Sequence, residues 1–166
     1  KMENVLIAWG GWEGHEPEKC ARIIKEMLEG DGLSVQMEND SQAFANPALA
    51  EFDLIIPLIT QSEIEKEPLN NLLQAVESGV GLAGFHGGMG DSFRSAVAYQ
   101  FMVGGQWVAH PGNIIDYEIK IIRSNDPVIS GISDFSYRSE QYYMHVDPSN
   151  EVLAETTFSG EHAAWI

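Results

Sequence analysis

The sequence predicts an α/β protein, a parallel sheet with helices on both faces, and three observations predict it. Apolar runs of strand length alternate with amphipathic helical stretches through the first hundred residues, the mark of repeated strand–helix–strand units. Two of those runs, Val5–Trp9 and Leu54–Ile59, are apolar throughout, as in strands covered on both faces. A glycine-rich corner at 81–91 joins a short apolar run to a helical one, so a strand passes abruptly into a helix there.

The elements follow in order. Val5–Trp9 is the first strand and ends in Gly10-Gly11-Trp12-Glu13-Gly14-His15, where glycines permit a sharp turn or close approach of a ligand. Pro17 opens a helix. Cys20, Ile23, Ile24, Met27 and Leu28 give it one apolar stripe, so Cys20 is expected as a core thiol. Leu33–Met37 is a second strand, and 39–47 is a polar connection. In Leu54–Ile59, Pro57 lacks a ladder donor and is expected near the strand end. Pro68 opens a helix carrying Leu69, Leu72, Leu73 and Val76 on one face. After the corner, Asp91 is expected to cap a helix whose Phe93, Ala96, Val97 and Phe101 face inward. Tyr117–Arg123, Tyr142–Val146 and Val152–Thr157 read as later strands, antiparallel additions at the sheet edge.

Right-handed crossovers bring the loops after the parallel strands to one edge, where ligands of such sheets sit. Those loops carry His15, Gln61 and His86. His86 holds the apex of a Gly-x-His-x-Gly corner. Esterases and amidotransferases place Ser or Cys at such an apex, where a strained turn lifts the side chain above the sheet. Imidazole there is suited to carrying a proton or binding a metal rather than to covalent attack.

The 166 residues are 44% hydrophobic, enough for one domain over 1–166 with a substantial core. Nine basic residues stand against 25 acidic ones, a formal charge of −16, which disfavours nucleic acid and anionic membrane as partners. One cysteine excludes an intrachain disulfide, and no apolar run reaches the length of a membrane span. With no leader ahead of the first strand, a cytoplasmic location is expected. Exposed tryptophans and edge strands leave homo-oligomerisation open.

Gly-Phe-His-Gly-Gly at 84–88, Gly-Gly-Gln-Trp-Val-Ala-His at 104–110, Asp-Pro-Val-Ile-Ser-Gly-Ile at 126–132, then Glu140 and Tyr142, together resemble the trehalose-utilisation (ThuA-like) family. The resemblance spans nearly the whole chain. It implies a three-layer α/β/α, doubly wound, flavodoxin-like fold of the class I glutamine amidotransferase-like superfamily, and a link to disaccharide metabolism. The amidotransferase cysteine corresponds to His86, so thiolate-type glutaminase activity is not expected. Members of that superfamily run on into a further strand and glycine turn, so the closing part of the fold is expected to lie beyond Trp165-Ile166.

The candidate residues follow. His86 is the central polar group, as acid/base, with Glu140 and His145 as catalytic partners. His15, Gln61, Gln106, His110 and Tyr142 are candidates for binding a sugar. Trp12, Trp107 and Tyr142 offer flat apolar faces, although core packing explains each equally well. His86, His110 and His145 are the candidate ligands of a zinc ion, without a local metal signature such as His-Glu-x-x-His. Three functions remain open: a sugar-processing enzyme, a non-catalytic sugar-binding or assembly protein, and a metal-dependent hydrolase of unrelated substrate.

Overall fold

The computed structural model describes residues 3–158 and the backbone of 162–165. The chain divides into two units, Lys1–Val103 and Gly104–Ile166.

The first unit is built on a parallel sheet of β1 (Asn4–Gly11), β2 (Ser34–Asn39), β3 (Leu54–Thr60) and β4 (Gly81–Leu82), in the order β2-β1-β3-β4. The apolar run of β1 has this cause: Val5 and Ile7 face one helix layer, Leu6 and Ala8 the other, and all four are fully buried. Each fully buried Val, Leu or Ile contributes about 1.5–3 kcal/mol. On one side lies α1 (Pro17–Gly30). On the other lie α2 (Lys66–Glu77) and α4 (Val97–Val103), with Phe44, Leu72 and Tyr99 buried among them. The α/β/α layering read from the sequence is therefore present.

Four local expectations are corrected. In α1, the sheet-facing residues are Ala21, Ile24 and Leu28, whereas Ile23 and Met27 are exposed and Cys20 is half-buried. A five-residue stripe is wider than the face one sheet can cover. Pro57 lies in the middle of β3, opposite Ala8. It points the same way as Ile55, whose carbonyl accepts from Ala83 N–H at 3.1 Å, so its missing donor falls just past the end of the β4 ladder. The helix expected from Asp91 starts only at Val97. The delay changes its phase: Tyr99 turns inward, while Val97 and Phe101 face out. The polar connection at 39–47 contains a 3₁₀ turn, Ser41–Ala45, that buries Phe44 completely.

The second unit is antiparallel. The strands β6 (Ile114–Ile121), β7 (Phe135–Glu140), β9 (Ala154–Phe158) and β10 (His162–Trp165) pair in the order β10-β9-β6-β7. β5 (Gly105–Ala109) and β8 (Tyr143–Val146) form a separate ribbon. The later strands were expected as additions to the edge of the parallel sheet. Among the described residues they pair only with one another. The side chain of His162 and the end at Ile166 lie outside the described residues.

Burial pushes the Tyr99 phenol well above its ordinary range, and its hydroxyl donates to the Met89 carbonyl at 3.2 Å. The unfolded phenol ionises near about pH 10 while the folded one resists. This contribution is therefore complete below that pH and declines as pH rises above it. Tyr99→Phe should lose about 1 kcal/mol at neutral pH through the lost hydrogen bond. It should also show a shallower loss of stability between pH 9 and 11 than the unsubstituted protein, measured by urea unfolding across that range.

Candidate functional site

The corner is made by backbone geometry. The β4 ladder stops at Ala83, and three residues later His86 adopts φ 55°, ψ −151°. A positive φ at a residue with a Cβ costs on the order of 1–3 kcal/mol and persists only when its surroundings enforce it. The enforcement comes from α3 (Gly87–Gly90), which packs onto β3. A Cβ on Gly88 would lie 2.9 Å from the Leu58 Cα, and one on Gly87 would lie 2.9 Å from both the His15 ring and the Thr60 methyl. Ser92 Oγ donates to the Gly88 carbonyl at 2.8 Å, and Tyr99 holds the Met89 carbonyl. Gln61 N–H bonds the Asp91 carbonyl at 2.9 Å, tying the end of β3 to the end of α3. Asp91 thus closes this short helix rather than opening one, and its carboxylate pairs with Arg94.

His15 reaches the same place from β1. Trp12 N–H bonds the Thr60 carbonyl at 3.0 Å, and a 3₁₀ turn at Glu13–His15 carries the imidazole over β3. Its Nδ1 lies 2.9 Å from Thr60 Oγ1. The His15 and His86 rings meet edge to face, centroids 4.7 Å apart. Trp12 packs against the other side of this grouping, its ring 4.7 Å from that of His15.

A cavity of about 180 Å³ opens here. The elbow contributes Phe85, His86 and Gly88, β3 contributes Leu58 and Thr60, and the first loop and α1 contribute His15, Pro17 and Cys20. Of the three edge residues expected from the sequence, His15 and His86 come together. Gln61 is at the same edge, at φ 51°, but exposed and outside the cavity lining. Cys20 is a correction: its thiol lies at the cavity, 3.5 Å from the His15 carbonyl, and not in the core. Thr60 and Phe85 were missed. Their adjacency to Gln61 and His86 was the one available signal.

The second unit gathers other candidates. The His110 ring lies 4.9 Å from both Trp107 and Tyr142, and its Nε2 is 3.6 Å from Glu140 Oε2. Its Nδ1 approaches the Gln141 carbonyl at 3.4 Å. Gln141 is fully buried, donates to Thr156 Oγ1 at 2.9 Å, and has no partner for its Oε1 among the described residues. Gln106 and His145 sit opposite one another on β5 and β8. His145 is exposed, with its ring 6.1 Å from Tyr143. An imidazole beside a carboxylate, flanked by two aromatic faces, can carry a proton or hold a hydroxyl.

Comparisons with known proteins agree with this architecture. The model of the ThuA family, described as trehalose utilisation, matches residues 4–165. Among solved structures, a protein described as ThuA-like from Bacteroides uniformis superposes with a TM-score of 0.74 at 22% identity, covering 93% of this chain and 68% of that one. Another described as ThuA-like, from Parabacteroides merdae, gives 0.76 at 14% identity, covering 99% and 72%. The glutaminase domain of Trypanosoma brucei CTPS, solved with bound acivicin, gives 0.51 at 11% identity, covering 99% and 79%. At these identities the likeness is one of fold alone. No curated protein matches the sequence at a significant level. With a family model matched from the first strand to the last, the chain belongs to the ThuA, or trehalose-utilisation, family.

Proposed function

We propose that the chain acts on a carbohydrate of the disaccharide class, trehalose or an oxidised form of it, at the cavity over the carboxyl edge of the parallel sheet. The observation that carries this is the pair of imidazoles. Two loops far apart in sequence deliver His15 and His86 to one cavity, with centroids 4.7 Å apart, at the strained corner where this fold concentrates chemistry.

His86, exposed at the apex, is the acid/base group: it takes a proton from a sugar hydroxyl, or returns one to a leaving oxygen. His15 is held by Thr60, whose hydroxyl lies 2.9 Å from Nδ1 and can donate to it or accept from it, so the contact orients the ring in either tautomer. The apex carries an imidazole in place of a thiol or hydroxyl, so the role given to His86 is proton transfer. The second unit carries its own candidates: His110, Tyr142 and Gln106 for hydroxyl binding, and Glu140 and His145 for proton transfer. The second reading, a sugar-binding protein without turnover, is favoured by the lack of a thiol or hydroxyl at the apex itself.

The test is incubation of purified protein with trehalose and its keto form. General acid/base groups contribute about 10²–10⁴-fold to rate, so His86→Ala should lower kcat/KM by that factor with an unchanged circular dichroism spectrum. Turnover indifferent to this change removes His86 from the chemistry. Saturable binding without product selects the second reading. Metal analysis of the same preparation separates the zinc-dependent reading.

Thr60→Val, nearly isosteric, should lower kcat/KM about tenfold by releasing the orientation of the His15 ring. Ring NMR of His15 should show shifted signals in the variant. Unchanged ring signals together with unchanged kcat/KM contradict the role given to Thr60.

A further inference from the structure

Trp12 is 54% exposed beside His15. An indole exposed beside a cavity offers an apolar face to the C–H groups of a sugar, and this ring has a seat. It lies across the backbone of Gly14, where a Cβ would stand 2.4 Å from the indole Cζ2 and 2.6 Å from Cε2. Gly14 is not in the left-handed region and belongs to an ordinary 3₁₀ turn, so its backbone does not need glycine. The indole needs it. The sequence therefore gives up a side chain at position 14 to seat an exposed indole flat and fixed.

The cavity volume gives the seat a use. About 180 Å³ is below the ~300–1,000 Å³ of sites that enclose a drug-sized ligand. The cavity opens to solvent, so a second ring joined to one held inside would lie beyond the lining residues. Trp12 is outside the cavity lining, one ring beyond His15.

We propose that Trp12 is the platform for the second sugar ring: one pyranose enters the cavity at His86, and the other stacks its C–H face on the indole across His15. The proposal rests on the disaccharide reading above and adds to it where the second ring is held, with Trp12 and Gly14 setting the preference for two rings over one.

Calorimetric titration with trehalose and with methyl α-glucopyranoside separates the two claims. Trp12→Ala should weaken trehalose binding about tenfold, the scale of one aromatic contact, and leave the methyl glucoside within about twofold. Trp12→Phe should fall between. Gly14→Ala, which keeps the indole but displaces it, should reproduce the trehalose loss and shift the Trp12 fluorescence. Equal losses for both sugars, or none for trehalose, overturn the platform while the carbohydrate reading stands. If neither sugar binds the unsubstituted protein, both readings fall.

Discussion

The packing of two bare glycines against β3 is the constraint on which the first unit's site depends. Gly88 sits so close to Leu58 that a single added methyl would collide with backbone, and Gly87 leaves the space that the His15 ring and the Thr60 methyl fill. Because α3 cannot move outward without losing this contact, the chain ahead of it has to turn within one residue, and that residue is His86 at φ 55°. Backbone strain at the apex is thus balanced by close packing below it. Pro57 cooperates: with no donor to offer beyond Ile55, it marks the point at which the sheet ladder gives way to the corner.

The proposed chemistry follows from what stands on that corner. An imidazole at the apex is better suited to proton transfer near neutral pH than to covalent attack. A second imidazole, oriented by Thr60, lies against the first. The acidic surface, a formal charge of −16, suits a neutral ligand better than an anionic one. The second unit repeats the theme with His110 beside Glu140 and between two aromatic rings.

The strands and helices of the first unit were legible because fully buried strands leave unbroken apolar runs, as in β1 and β3. The corner was legible from its glycines. Phase and width were not. Cys20, Ile23 and Met27 share a helical period with Ile24 and Leu28, yet only the latter two reach the sheet, and periodicity alone cannot tell the centre of a stripe from its margin. Val97 and Phe101 were misplaced because residues 91–96 delay the helix, and a shift of that kind rotates every later side chain. The arrangement of the antiparallel strands depended on pairings between distant residues, such as Ile114 with Glu140, that no local pattern encodes. Of the site, the meeting of His15 with His86 could be inferred from loop convergence. Thr60 could not, since a threonine at a strand end carries no mark of the imidazole it will hold.

Side-chain NMR of the histidine rings, recorded while trehalose is titrated in, tests most directly whether His15 and His86 form one sugar-facing pair. Both sets of ring signals should move together along a single saturation curve. Saturating sugar that leaves both rings unmoved would contradict the pairing of these imidazoles with a carbohydrate.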